Sequence, residues 1–525
     1  MVNNKTTKYV LAAAMMCGTL HTVAQETYVN AELATGDLNG TARYVGMGGA
    51  MEALGADIST IATNPAGIGL FRHSAVSASF GLVSQQDAEK FANANKTNMS
   101  FDQVGFVYSM RTGMRSFVNF GFNYHKSRNF NYILNAAGKL GADASQNKVS
   151  YNKGEKAYQE GWDFVRFDRD RLLPNDNACS QLDELYYNNL LAYYDENMEL
   201  GYGYFAADRY MMDRSNTGYI GSYDFNISGN INDRVYLGLT VGIHDVHYKG
   251  YSEYAELFAG NGEGIDGVLV EDTREITGNG VDLKAGVIFR PVEESPFRIG
   301  LSVATPTWYD LTTRNYTAMI VDAAANGNYT MDINNSYDFK LYTPWKFGLS
   351  LGHTVGNYLA IGASYEYADY SNIDSRINDG YDWDGTEHSV SDMEMNRHTE
   401  QTLKGVHTLK LGAEFKPDND ISVRLGFNYL SPMYNKNGVK DGWLDSYGVS
   451  YQSATDFTNW SDTYRVTAGL GYRLDKFAFD LAYQYSQTNG TFLPFSDVLD
   501  VSNTAEAVDV SNKRHQLLLS IGYTF

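Results

Sequence analysis

The chain has 525 residues, of which 43% are hydrophobic and 14% aromatic, and it carries a formal net charge of −21. So much aromatic surface excludes a disordered chain, and the acidic balance excludes nucleic acid as a partner, because phosphate binding needs a basic face. No apolar run of about 18 residues follows the N-terminus, which excludes a helical membrane protein. The 50 Gly and 40 Tyr point instead to antiparallel β-structure with aromatic girdles.

Residues 1–24 read as a secretory signal. Lys5 and Lys8 supply the positive start, residues 9–20 the apolar core, and Thr22-Val23-Ala24 the small-residue cleavage site. Met16 before Cys17 is not the small residue that lipoprotein processing favours. Cleavage would leave Cys179 as the single cysteine, so the mature chain forms no internal disulfide.

Residues 25–72 carry no stripe suited to facing lipid and are rich in Gly, Ala and small polar residues. Asp57 or Ser59 is placed to cap a short helix through Ile61, and Pro65 ends it by disfavouring helical geometry at Asn64.

From residue 73 onward the chain alternates. Val118, Phe120, Phe122 and Tyr124 are interleaved with Asn119, Gly121, Asn123 and His125; Leu237, Leu239, Val241 and Ile243 with Gly238, Thr240, Gly242 and His244. Each period-two pattern gives one apolar face and one polar or small face. Fourteen such segments lie near 73–84, 102–112, 115–128, 217–231, 234–249, 280–290, 297–313, 344–354, 357–371, 405–416, 420–430, 462–474, 477–487 and 513–525. Tight turns follow every even segment and long connections follow the odd ones, the longest near 129–216. A soluble sandwich has no need of that regularity. A transmembrane barrel does, with short periplasmic turns, long outer loops and its apolar face toward lipid.

Within the long loop, residues 179–202 suggest an amphipathic helix. Leu182, Leu185, Tyr186, Leu190, Tyr193 and Tyr194 form its stripe, read either as a hydrophobic landing surface or as packing against neighbouring loops. His244 and His247 are separated by an odd step on a strand and so face opposite ways, which argues against a shared metal. In the loop 373–385, Asp379, Asp382 and Asp384 are closely spaced oxygen donors of the kind that suit Ca²⁺. Their spacing departs from the twelve-residue calcium loop, and an acidic surface loop is the competing reading. Glu366, Lys410, Glu414, Arg424, Arg473 and Asp480 are read as lumen-facing charges that pair structurally or line a polar path. No Ser/His or Asp/His arrangement marks an enzyme, and no cofactor is expected.

These readings together predict an all-β, 14-stranded antiparallel transmembrane barrel over residues 73–525. Its lumen is too wide for side chains alone to fill, since about eight strands give a filled interior. Residues 25–72 are therefore the expected hatch. The runs Gly46-Met47-Gly48-Gly49-Ala50, Ala56-Asp57-Ile58-Ser59-Thr60 and Asn64-Pro65-Ala66-Gly67, followed directly by the first strand, resemble the hatch of the FadL-type long-chain fatty acid transporter family, which includes the TodX-type aromatic hydrocarbon channels. The resemblance implies passive uptake of a hydrophobic small molecule (fatty acid, lipid or aromatic compound) across the bacterial outer membrane, with sideways release through a gap in the wall. It implies that Asn64, Pro65, Ala66 and Gly67, with Gly48 and Gly49, are hatch or gating positions. It places the wall gap in the third strand, near 115–128, where the sequence shows Gly121 but no proline or evident bulge. The expected partners are outer-membrane lipids and, through C-terminal Phe525, the barrel assembly machinery. The alternatives are a PorV-type barrel that binds exported proteins, a haem receptor, and a general porin.

Overall fold

The alternating segments close into an antiparallel barrel of 14 staves. The structure, a computed structural model, describes residues 26–168, 171–175, 178–259, 264–323, 327–381 and 387–525. The predicted signal at 1–24, and Asp382 and Asp384, lie outside these residues. In chain order the staves are β1 (Ala75–Gln85), β2 (Thr97–Arg111), β3 (Phe117–Asn129 with Tyr132–Lys139), β4 (Ala207–Ile231), β5 (Val235–Phe258), β6 (Gly267–Phe289) and β7 (Arg298–Ala304 with Trp308–Ala323). The second half comprises β8 (Gly327–Tyr342 with Lys346–Val355), β9 (Leu359–Asp369 with Asp374–Tyr381), β10 (Glu387–Ser391 with Gly405–Phe415), β11 (Ile421–Leu430), β12 (Phe457–Leu474), β13 (Phe477–Leu493) and β14 (Val508–Thr524). Closure comes from β1 pairing with β14, from Ala75 opposite Thr524 to Gln85 opposite Arg514.

Side-chain direction shows which solvent each face meets. On β5, Leu237, Leu239, Val241 and Ile243 point outward and are exposed, while Thr240 and His244 point inward and are buried. This reverses the arrangement of a soluble barrel and fits a wall bathed in acyl chains. Closure pairs the backbone of each stave with its neighbours, as a medium without water requires. Tyr124, Tyr365, Tyr483 and Tyr523 lie on the outer face at the edges of its apolar band, where a ring can meet apolar chains and its hydroxyl can meet water. Tyr365 and Tyr483 each share a 2.7 Å hydrogen bond with a neighbouring histidine, His407 and His515.

Stave height is uneven. β4, β5 and β6 run for 25, 24 and 23 residues, whereas β11 runs for 10. At roughly 3.3 Å per residue, the tall staves rise far beyond the bilayer. The breaks in β7 and β8 fall at Pro306 and Pro344, which have no N–H to give to a ladder.

The 140–206 connection fills the hollow behind the tall staves. Helices α3 (Gln146–Gln159) and α4 (Gln181–Tyr186) pack there, and α4 starts with a reciprocal capping box between Ser180 and Asp183. A one-turn π-helix (Tyr187–Leu191) follows, then a short hairpin. The interior below this cap is occupied by residues 26–71. Helices α1 (Thr27–Ala34) and α2 (Ala42–Gly46) precede two 3-10 turns, Ile58–Ala62 and Pro65–Leu70.

Candidate functional site

The plug explains why so many inward positions of the wall are glycine or polar. Asp57 caps the first 3-10 turn by accepting from Ser59 N, 3.0 Å away. Asn64 is extended and caps the second turn, with Pro65 at its first position. Proline therefore ends one turn and starts another. Pro65, Ala66 and Gly67 are buried, and Ser228 Oγ of β4 donates to Pro65 O at 2.8 Å. Gly48 and Gly49 adopt left-handed φ values of 63° and 80°. A Cβ on Gly48 would lie 2.8 Å from Phe427 N of β11, so glycine is required there twice over.

Staves all round the barrel hold the plug. Ala42 N donates to Ser520 Oγ of β14 at 2.6 Å, Asn119 Nδ2 of β3 to Ile68 O at 2.7 Å, and Arg298 Nη1 of β7 to Leu54 O at 2.7 Å. Arg43 grips Glu414 at 3.0 and 3.1 Å, Glu414 takes Arg424 Nε at 2.6 Å, and Arg424 reaches Asp480 at 2.6 Å. Glu52 binds Lys410 at 2.8 Å and also Ser364. Glu366 lies 3.9 Å from Lys410, so five of the six charges read as lumen-facing face each other or the plug. Arg473 faces the lumen too, at its exposed lower mouth beside Arg43 and Asp480. Such buried pairs stand only while complete, because one partner left alone is a desolvated charge.

Above the plug lies a cavity of about 270 Å³. Tyr28, Tyr132, Tyr248, Tyr434 and Trp460 are among its apolar walls. A second space of about 210 Å³ lies lower in the lumen and meets the first at Gly36, Asp37, Tyr370, Val406, Leu430 and Arg465. A third, about 190 Å³, lines the periplasmic mouth around Arg43, Asp57 and Tyr472 and shares no lining residue with the others. The plug therefore divides the lumen into an upper and a lower compartment.

The wall is incomplete beside the upper compartment. β2 and β3 pair from Arg111–Phe117 up to Gln103–His125; beyond that, Thr97–Phe101 pairs with β1 alone. Ser127 makes the bulge that shifts β3 against β4, between Lys126 and Arg128. Gly121, the position suggested by the sequence, stays in register opposite Val107 and Asn226. The irregularity is thus six residues further along, where Lys126-Ser127-Arg128 interrupts the apolar alternation. Plug residues patch the gap from inside. Asp37 N donates to Ser127 O at 2.7 Å, and Asn39 Nδ2 donates to Asp102 Oδ1 and Lys126 O at 2.9 and 3.1 Å. Lys126 Nζ donates across to Ser100 Oγ at 2.9 Å.

The remaining sequence candidates are placed as follows. Leu182, Leu185, Tyr186 and Leu190 are buried in one apolar cluster with Tyr210, Tyr254, Met319 and Phe492, whereas Tyr193 and Tyr194 are exposed on the hairpin. His244 faces the lumen, hydrogen bonded to Ser222 and Asp282 at 2.8 and 3.0 Å; His247 faces out, against Asp245. Among the described residues no group of three metal-ligating side chains converges. Sequence reading missed the anchor at the start of the plug. Glu26 accepts from Arg274 and Lys440 at 3.2 and 3.0 Å, and α1 docks on α5 (Met393–Thr402) through Thr27 and His398 at 2.8 Å. Burial raises the Glu26 carboxyl, and Lys440 and Arg274 outweigh it and bring it below the usual range.

The fold has solved counterparts. A FadL homologue from Pseudomonas aeruginosa superimposes with a TM-score of 0.51 over 94% of this chain and 100% of that one, at 12% identity. The fold is that of FadL-type transporters. The Ralstonia pickettii toluene transporter TbuX (TM-score 0.47, 14% identity, 93% of this chain and 99% of that one) and the P. putida toluene transporter TodX (0.48, 11%, 93% and 99%) are also similar. No protein-family model matches the sequence, and a search of curated proteins finds no match. The FadL-type fold is therefore carried here by alternation, stave count and plug, with few residues in common.

Proposed function

We propose that this protein is an outer-membrane channel for passive uptake of hydrophobic small molecules, gated by its hatch and releasing its cargo sideways into the bilayer. The observation that carries this reading is the wall gap between β2 and β3, which opens beside the second space, lined by Ser127 and Asn39, and is covered from within by plug residues 37–39. A molecule entering from outside meets an aromatic chamber, then a plug anchored all round, and the sparsest wall beside it is the β2–β3 gap. Asn64, Pro65, Ala66, Gly67, Gly48 and Gly49 seat the hatch. Residues 37–39 are the part that moves. No cofactor or energy source is required for movement down a gradient. Phe525, whose exposed ring packs on Tyr523 with centroids 5.0 Å apart, is the contact for the assembly machinery.

The test is transfer of an apolar fluorescent probe into the membrane of proteoliposomes, with single-channel conductance recorded in parallel. The wild type should transfer the probe while conducting little. A version lacking residues 40–71 should conduct strongly, and Asn39→Ala should speed transfer without raising conductance. Large conductance with the hatch intact would instead indicate a general porin. Co-purifying exported protein, with no probe transfer, would indicate a secretion partner.

A further inference from the structure

High on β5, past the outward apolar residues that end at Ile243, Glu256 points inward beneath the 140–206 connection and is 1% exposed. Its carboxylate is held by uncharged donors alone. Gln146 N at the start of α3 donates to Oε1 at 2.6 Å, Tyr254 of the same stave donates its hydroxyl to Oε1 at 2.8 Å, and Asn147 Nδ2 reaches Oε2 at 3.4 Å. The neighbouring staves place Tyr210 of β4 and Val268 of β6 opposite it, and α4 contributes Tyr186. The nearest charges are spent elsewhere. Asp183 of α4 pairs with Lys153 at 2.7 Å, and Lys148 of α3 turns to Asp143 and Asp500 at 2.9 and 3.3 Å. A buried carboxylate without a counter-charge is disfavoured, and burial pushes the Glu256 carboxyl up to about 7.

What Glu256 fastens is the first turn of α3. Ser145 caps that turn by accepting from Lys148 N at 3.1 Å, which leaves Gln146 N to Glu256. The Gln146 side chain carries the connection onward. Its Nε2 donates to Thr455 Oγ1 at 2.6 Å, and its Oε1 accepts from the Tyr186 hydroxyl. Thr455 stands between Ala454 and Asp456, which line the upper cavity. The other end of the cap is tied without a titratable group. Gln181 Nε2 of α4 donates to Thr317 Oγ1 of β7 at 2.9 Å and to Ile333 O of β8 at 3.2 Å, and Asn335 Nδ2 donates back to Gln181 Oε1 at 3.1 Å.

We propose that Glu256 is a proton-operated latch on the cap: with its proton it holds the first turn of α3 against β5, and without it that turn lifts and takes Gln146 away from the edge of the upper cavity. A carboxylate there draws in water, and the first turn is the part that yields, because the rest of α3 stays tied to α4 through Lys153 and Asp183. The protonated form is the one that fits. The latch is therefore complete below the ordinary carboxyl value of 4.5 and is lost as pH rises to about 7. Asp143 and Asp500 are held below the usual carboxylate range and Lys148 above the usual lysine value, so none of the three titrates in that window. The latch stands apart from the uptake reading; joined to it, it makes entry to the upper cavity faster at neutral than at acid pH.

The experiment follows hydrogen exchange in the whole mature chain in nanodiscs, from about pH 5 to about pH 8, with each rate divided by its value for an unstructured chain at the same pH. Corrected exchange at Gln146 and residues 150–152 should rise by up to about tenfold per pH unit toward neutrality and then level off, while residues 184–190 of the cap stay unmoved. Glu256→Gln keeps the shape and an acceptor oxygen without the charge, and should hold α3 at its acid-side protection throughout. Lys148→Gln, which alters the exposed neighbouring pair instead, should keep the wild-type profile. Transfer of an apolar fluorescent probe into proteoliposomes should be several-fold faster at neutral than at acid pH in the wild type, and equal at both in Glu256→Gln. A flat profile in the wild type, an unchanged one in Glu256→Gln or a lost one in Lys148→Gln would overturn the latch. Probe transfer that ignores pH while α3 switches would overturn the release at the cavity edge. Switching of α3 with no probe transfer at any pH would remove the uptake reading and leave the latch standing.

Discussion

Two stretches of the plug are held in different ways. Residues 40–71 sit among buried ion pairs and glycine-lined contacts on staves around the barrel, with Glu414 and Arg424 each almost wholly enclosed. Residues 35–39 rest on a handful of hydrogen bonds beside two cavities, and Asp37 and Asn39 are only half-buried. Free energy of local opening follows such differences, from nearly zero where contacts are sparse to the global value where they are dense. Residues 40–71 are thus a fixed floor and residues 35–39 a short flap between that floor and the α1 anchor, and the flap lies against the incomplete wall.

The sharpest way to break this contrast is at the floor. Arg424→Ala leaves Glu414 and Asp480 facing the lumen with one partner fewer, a loss of about 3–5 kcal/mol for a buried pair. Single-channel recording should then show frequent large openings as the floor unseats. A closed channel in this variant would place the plug's anchorage elsewhere. Asn39→Ala acts on the flap and removes two donated hydrogen bonds, worth about 1–2 kcal/mol together. Hydrogen exchange at residues 36–39 should rise about tenfold, with residues 42–54 unmoved. Parallel rises in both stretches would mean that floor and flap open as one unit.

Smaller effects are expected above. Ser180→Ala removes the α4 cap at a cost of about 1 kcal/mol, which proteolysis of the 140–206 connection should report while probe transfer stays unchanged. The smallest effect concerns pH. Burial lowers the affinity of His398 for its proton, with Asp441, Glu26 and Lys440 as the charged groups near it. A depressed value means the neutral ring is the form that fits. Its contribution is complete above about pH 6.5, the ordinary value, and fades as pH falls through the lower value in the fold. Chemical shifts of the His398 ring and of α1 should therefore move together on acidification. Independent titration would show that the Thr27–His398 contact does not hold α1.

Much of the architecture was legible because a lipid-facing wall writes a two-residue period into the chain. All 14 segments correspond to staves, and the six tight turns fall where expected. The upper halves of the tall staves were less legible for a physical reason. Past Ile243 in β5 the outward residues become His247, Lys249 and Glu253, and the inward ones Val246, Tyr254 and Phe258. Above the bilayer, water lies outside and the cap inside, so the apolar stripe changes face and the period weakens. The expected stave at 234–249 accordingly ended short of Phe258.

The site was legible only in its local parts. Asp57 as a cap and Pro65 as a break follow from short-range rules, and both are present in the structure. The β3 bulge, and the meeting of Arg128, Arg465 and Arg514 around Asp37, do not follow from such rules. Arg128, Arg465 and Arg514 meet only once the last stave has closed on the first, and a single sequence carries no signal for a meeting across nearly 400 positions. The landing stripe shows a related ambiguity, since Leu182 and Tyr193 share a helical spacing yet one is buried and the other is on an exposed hairpin.

The glycine seats bear on how such a molecule is assembled. Gly48 lies against β11, Pro65 against β4 and β5, and Ala42 against β14, the final stave. The part of the chain made first therefore has no berth until the part made last is in place. The N-terminal segment must travel with an unfinished sheet and be enclosed as the seam shuts. An exported protein built this way completes its interior and its perimeter in one event, and a lost seat at either end of the chain is a defect in both.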